Sequence, residues 1–361
     1  MRDGFEEAAV LEHPRPKLDY PFAHGPKTGE AIDIAPGVKW LRMPLGGALA
    51  FINVWAIEDV AKNGEDGWAI VDTGMGGPDT RDAWRAAFLG PLAGRKPSRV
   101  FVTHMHPDHI GMAGYITRKF DCRLWISRLE FLMCRSLAAD TGREAPSDAL
   151  NFYKAAGWDE DSLEHYRARF GGFGRGLHTL PDSFQRLSDG DEVKIGDHIW
   201  RVVVGSGHSP EHACLYCPDL KLLISGDQVL PKISSNVSVF PTEPEGDPLT
   251  DWLTSLARIK TKVPDDVLVL PAHNDPFHGL HARIDHLIGG HERGLARLRT
   301  LIAEPKRAVD VFHVLFRRKI DQYLLGMATG EGIAHLNCLI ARGQAERTRD
   351  ENGVDWYRAA A

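Results

Sequence analysis

Thr103 to His109 reads Thr-His-Met-His-Pro-Asp-His, placing three imidazoles and one carboxylate within six positions. A packed core does not need that density of ligand chemistry, and the stretch has no helical apolar pattern. His104 and His106 are two apart, the spacing that puts both side chains on one side of an extended segment. Asp108 and His109 follow a turn at Pro107 and can face a neighbouring point. The pattern allows two metal positions close together, an arrangement able to clamp an attacking water. The plainer alternative is a hydrogen-bonded, His-rich surface loop.

At this motif the sequence resembles the metallo-β-lactamase superfamily. That family carries His-x-His-x-Asp-His, then a distant His, a distant Asp and a last His. Here these read His104, His106, Asp108 and His109, then His208 in Gly-Ser-Gly-His-Ser, Asp227 in Ile-Ser-Gly-Asp and His273 in Leu-Pro-Ala-His. Asp72 in Ile-Val-Asp-Thr-Gly matches the family's early structural aspartate. Ala272 departs from the Gly that most members place before the last His, which should crowd that loop slightly.

The resemblance implies two divalent ions, zinc first, with iron or manganese also compatible with imidazole and carboxylate donors. His104, His106 and His208 would hold one ion, Asp108, His109 and His273 the other, and Asp227 would bridge them. Asp72 would fix the ligand loops from behind. Asp108 and Asp227 would carry the catalytic work around a shared, activated water, with Asp108 orienting it.

The activity implied is hydrolysis of a carboxylic ester, thioester or lactone, closest in outline to the hydroxyacylglutathione hydrolase-like branch. The segment after Asp227 departs from that branch: it reads Gln-Val-Leu-Pro-Lys-Ile-Ser-Ser-Asn rather than Gly-Cys-Gly-Arg. The Tyr that acyl-homoserine lactonases carry in this region is also missing. A nuclease acting on RNA or DNA, an iron-dependent persulfide oxygenase and a non-catalytic binding protein are the competing readings.

The bulk properties are neither those of a disordered chain nor those of a fibrous one. The 361 residues are 43% hydrophobic and 25% charged, ordinary for a globular protein. A net charge of -6 and an absence of long basic runs argue against nucleic acid as partner. No stretch approaches a membrane span, and the first ten residues show no secretory signal, so the expected location is the cytoplasm. Five cysteines make no disulfide framework. Cys214 and Cys217 form a Cys-x-x-Cys, but in a strand residues three apart point to opposite faces, so both are expected as core thiols.

The elements that must position the ligands alternate strand and helix. Apolar stretches at Val38–Met43, Ala50–Ala56, Trp68–Asp72, Arg99–Thr103 and Arg123–Ser127 read as strands, with helices over Asp79–Leu89, where Asp79 is the N-cap, and Asp108–Phe120. A second set of strands covers Val193–Ile195, Ile199–Val204, Ala213–Cys217, Lys221–Ser225 and Val267–Leu270. Helices are expected over Asp247–Lys262 and Gly279–Ala303. The family fold implied is α+β, a four-layer αββα sandwich over 37–305, preceded by an extended arm at 1–36.

A helical insert at 128–185 lengthens the path from His109 to His208. Its aromatics Phe152, Tyr153, Trp158, Tyr166, Phe170 and Phe173 either pack it onto the sandwich or form a lid on a glycine hinge at 170–176. The substrate pocket is expected to include Met105, Phe173, Ser234 and Asn236. Residues 306–361 read as short helices and a hairpin turning at Asp350-Glu-Asn-Gly, similar to a small winged-helix appendage used for packing or homodimerisation rather than for DNA.

Overall fold

The computed structural model describes residues 16–317 and 319–360. The first half of the chain builds a seven-stranded sheet in sequence order. Its strands are β1 (Ile32–Ala35), β2 (Val38–Gly46), β3 (Ala50–Val60), β4 (Asp66–Val71), β5 (Lys96–Phe101), β6 (Arg123–Ser127) and β7 (Gln185–Leu187). The first four are antiparallel neighbours, whereas β4 through β7 pair in parallel. Parallel neighbours need long crossovers. Helices α1 (Pro78–Leu89), α2 (Pro107–Ile110) and α3 (Ala113–Phe120) supply the first two, and α4 (Arg128–Ala139), α5 (Ser147–Ala155) and α6 (Glu160–Arg169) the third.

The second sheet holds β8 (Glu192–Ile195), β9 (His198–Gly205), β10 (His212–Cys217), β11 (Leu222–Gly226) and β12 (Leu268–Pro271), in the order β12-β11-β10-β9-β8. Helix α7 (Pro248–Lys262) crosses from β11 to its parallel neighbour β12. Then come α8 (Leu280–Leu301), α9 (Phe312–Leu315), α10 (Leu325–Ala341) and a hairpin of β13 (Ala345–Arg349) and β14 (Asp355–Ala359).

Alternation along the strands makes the four layers. In β4, Trp68 and Ile70 enter the core beneath α1, α3 and α4, while Ala69 and Val71 enter the core between the sheets. There Trp40, Trp55 and Phe101 of the first sheet share a core with Trp200, Leu215 and Ile224 of the second. Trp252 of α7 and Ile284 of α8 cover the outer face of the second sheet. Strands buried on both faces have no polar side, so they read as continuous apolar runs. Cys214 and Cys217 are free, buried and in different cores, one on each face of β10.

Several expected boundaries move. Asp79 lies in the first turn of α1 rather than at its cap, which is Gly77 followed by Pro78. The single helix expected over Asp108–Phe120 is two, because the Met112 N–H bonds to the Gly74 carbonyl and Thr73 Oγ1 instead of continuing the first turn. Part of the expected arm is strand β1, hydrogen-bonded to β2, and residues 1–15 lie outside the described residues.

The C-terminal segment is built into the core. Ile333, Leu336 and Leu339 of α10 pack with Leu249 and Trp252 of α7 and Leu295 of α8. Insert aromatics brace it: Tyr153 and Trp158 stack at 4.2 Å, and Trp158 Nε1 donates to Thr329 Oγ1 at 2.9 Å.

Candidate metal centre

The His-rich segment leaves β5 at the sheet edge, where its conformation is held by carboxylates beneath it. Asp72 directly follows β4 and lies in the left-handed region, with φ of 60°. Its Oδ1 accepts the Thr103 N–H at 2.8 Å, and its Oδ2 accepts the Nδ1–H of His109 at 2.7 Å. Fixing that proton on Nδ1 turns His109 Nε2 toward the other ligands, the orienting role a carboxylate plays behind a metal-bound imidazole. His208 is fixed in the same way, its Nδ1–H donating to the Asn236 carbonyl at 2.7 Å.

The seven sequence-selected residues meet at the loop end of both sheets. His104 Nε2 and His106 Nδ1 lie 2.9 Å apart, and with His208 Nε2 they form one cluster of converging atoms. Asp108, His109 and His273 form a second, with His273 Nε2 3.3 Å and His109 Nε2 3.8 Å from Asp108 Oδ2. Asp227 stands between them. Its Oδ2 is 3.4 Å from His208 Nε2, and its Oδ1 is 3.5 Å from His273 Nε2 and 3.6 Å from His109 Nε2.

This donor set fits a pair of divalent cations. His109 Nε2, His208 Nε2 and Asp227 Oδ1 are buried without a hydrogen-bond partner, a costly arrangement unless something electropositive satisfies them. Burial, then neighbouring imidazoles, keeps His104 well below the ordinary histidine range, and burial with His208 beside it brings His106 to about 3, so both are in the neutral, ligating form. Burial disfavours the charged form of His109, yet Asp72, Asp108 and Asp227 outweigh it and hold that imidazole well above the ordinary histidine range, so a cation taken up at its Nε2 would displace a proton.

Three supporting residues escaped sequence reasoning. Glu130, fully buried, accepts the N–H of Met105 and the N–H of Glu211 at 2.8 Å each, joining the two ligand-bearing loops. Asn53 donates through Nδ2 to the Pro271 carbonyl at 2.8 Å and the Asn274 carbonyl at 2.6 Å, which clamps the His273 loop. Ala272 fits there: its N–H donates to the Gly226 carbonyl, and its side chain is buried. His212 packs beneath the centre, stacking on His104 at 4.7 Å and accepting the Asp227 N–H at 3.1 Å. Glu130 follows no motif, and only the fold brings it under Met105.

A cavity of about 180 Å³ opens over Asp108, His208, Asp227 and His273. Ser234 and Asn236 line it, as does Glu331 of α10, the third residue that sequence reasoning missed. Its other walls are Leu230, Ile233, Phe316, Ile320, Leu324 and Met327.

Two expected pocket residues lie elsewhere. Met105 is buried in the core outside the first sheet, since its N–H must reach Glu130 and its side chain then points inward. Phe173 packs against that same core and faces a separate hollow with Tyr323 and Met327. Gly171, Gly174 and Gly176 of the 170–176 segment are closely packed against their neighbours. The Gly176 carbonyl accepts the Gly76 N–H, and a Cβ on Gly176 would meet Met75 Sδ at 2.9 Å and Pro107 Cβ at 3.1 Å.

Glu331 yields a pH prediction. Burial pushes its carboxyl from an ordinary 4.5 to about 7, offset by one hydrogen bond from Asn236 Nδ2 at 2.7 Å. A raised carboxyl binds a proton in the folded state that the unfolded chain releases, so stability is full below pH 4.5 and falls as pH rises through 7, by at most about 3 kcal/mol. In denaturant titrations from pH 5 to 8, wild type should lose stability relative to Glu331→Gln. A difference that does not change with pH would contradict this.

The chain belongs to the metallo-beta-lactamase superfamily. The superfamily model matches residues 48–273, and a model described as metallo-beta-lactamase-like, C-terminal domain, matches residues 295–360. The structure is similar to a beta-lactamase domain protein from Burkholderia ambifaria, with 40% identity, a TM-score of 0.87, and coverage of 95% of this chain and 98% of that one. It is also similar to a metallo-beta-lactamase family protein from Thermus thermophilus, with 25% identity, a TM-score of 0.72, and coverage of 91% and 100%. Among curated proteins, the acyl-coenzyme A thioesterase MBLAC2 of Gallus gallus is 25% identical over 262 residues, 71% of this chain and 82% of that protein. Superfamily members are generally metal-dependent hydrolases. Among the described residues no helix is long and apolar enough to cross a membrane.

Proposed function

We propose that this chain is a dinuclear metal-dependent hydrolase of acyl substrates, with thioesters as the leading class and esters or lactones within reach of the same chemistry. The observation that carries the reading is the cavity itself, whose floor is four candidate ligands and whose walls are mostly aliphatic and aromatic. Such walls take up an acyl chain by burying its methylenes, each worth about 0.8 kcal/mol. They carry no Lys or Arg among the described lining residues, whereas a phosphodiester substrate would present flanking phosphates. The thioesterase named among the relatives supports the thioester reading.

His104, His106 and His208 would hold one ion, Asp108, His109 and His273 the other, with Asp227 offering an oxygen to each. When bound, the pair would supply a water acidified to hydroxide near neutral pH and a Lewis acid for the substrate oxygen. The protein's own part is to set the geometry. Asp72 and the Asn236 carbonyl hold His109 and His208 in the tautomer that presents Nε2. Leu230, Phe316 and Leu324 keep bulk water from the acyl chain, which strengthens every electrostatic contact at the floor.

The test is a panel of acyl thioesters, esters, lactones, phosphodiesters and RNA, run on protein of measured metal content. The expected result is close to two equivalents of metal per chain and thioester turnover that rises with acyl length. One equivalent of iron with oxygen consumption would favour persulfide oxidation, and cleavage of RNA alone would favour a nuclease; either outcome overturns the proposal.

A further inference from the structure

One end of the cavity departs from its apolar lining, and its hydrogen-bonding sense can be worked out atom by atom. His335 Nδ1 lies 2.8 Å from the Glu331 carbonyl, which can only accept, so the proton is on Nδ1. Burial keeps His335 low, at about 4, and the ring is neutral, which leaves Nε2 a lone-pair acceptor. His291 Nδ1, 3.2 Å from that Nε2, must therefore donate to it. Burial and His335 bring His291 to about 3, so it too is neutral and its own Nε2 must accept. Facing that atom at 3.3 Å is the Ser234 hydroxyl, which also has the Ser235 carbonyl at 3.4 Å.

Both neighbours of the Ser234 hydroxyl are acceptors, so its single proton is spent within the protein. The oxygen is left to accept from the cavity. Glu331, whose carboxyl burial raises to about 7, adds a second acceptor in its ionised form, so the comparison below is made at pH 8. Its side chain is buried yet lines the same cavity, and its Oε2 accepts a hydrogen bond from Asn236 Nδ2. The amide of Asn236 is itself fixed, since its Oδ1 takes the Ser238 hydroxyl at 2.6 Å.

We infer that Ser234 and Glu331 form a specificity subsite that accepts hydrogen bonds, so that the preferred acyl group carries an O–H or N–H donor along an otherwise apolar chain. The inference rests on the acyl-substrate reading above but makes a separate claim. The metals would act on the bond that breaks, and this subsite selects what is attached to it. A site with buried acceptors discriminates against an analogue that lacks the donor, because the acceptors are then dehydrated without compensation.

Binding can be measured without turnover. Titration calorimetry of the metal-loaded protein would compare octanoate with β-hydroxyoctanoate and N-hexanoylglycine, and kcat/KM would be compared for the matching thioesters. At least one donor-bearing acid should bind about ten-fold more tightly than octanoate. That ratio should fall to near one in Ser234→Ala and in Glu331→Leu. Equal binding of the three acids, no binding by any, or a preference that survives both substitutions would overturn the subsite. A binding preference without hydrolysis of any thioester would leave the subsite standing and sink the proposed reaction; hydrolysis without preference would do the reverse.

Discussion

Replacing Asp227 with Asn should lower kcat/KM by roughly a thousand-fold or more, a loss of about 4 kcal/mol of transition-state stabilisation. Asp227 is the residue whose two oxygens face the two ligand clusters separately, Oδ2 toward His208 and Oδ1 toward His109 and His273. An amide keeps the shape but removes the negative charge, and its NH₂ would point a donor at one cation. Bound metal should fall together with activity, while the folded baseline in circular dichroism remains. A variant that holds two equivalents of metal and works within ten-fold of wild type would show that Asp227 does not bridge.

The second large effect is on stability. Glu130→Ala should destabilise the protein by roughly 3 kcal/mol or more, because the N–H groups of Met105 and Glu211 lose a buried acceptor and each unsatisfied donor costs about 1 to 3 kcal/mol. For a chain of this size that lowers Tm by roughly 4 °C or more. Metal affinity should weaken in parallel, since Met105 lies between His104 and His106 and Glu211 lies just past His208. Glu130→Gln, which keeps one acceptor, should fall between the two. A melting curve for the Ala variant that overlays wild type would refute the role of this carboxylate.

What was legible in the sequence was the set of groups whose chemistry is costly to bury. His104, His106, Asp108 and His109 stood out by the density of ligand groups in one short stretch, His208, Asp227 and His273 by their match to the superfamily's pattern, and the structure brings the seven to one point. Strands such as β11 were readable because burial on both faces leaves an apolar run. The cavity wall was not readable. Leu324, Met327 and Glu331 lie roughly a hundred residues from Ile233 and Asn236, and apolar residues on a helix look alike whether they face a core or a substrate. Phe173 was misplaced for the same reason: an aromatic among glycines suggests a mobile loop, and only tertiary contacts reveal that Gly174 lies close against Thr141 and Ala138 and Gly176 against Pro107 and Gly76. The break at Met112 depended on a hydrogen bond to Gly74, a partner no local pattern indicates.

The placement of α10 across the cavity divides labour along the chain. Every candidate ligand lies between His104 and His273, whereas much of the wall that a substrate touches comes from Phe316 to Glu331. The reacting centre and the filter in front of it are therefore written in different stretches of the polypeptide. Substitutions in the later stretch can redraw which molecules are admitted while every ligand stays where it is, so that one centre can be fitted with many different doors.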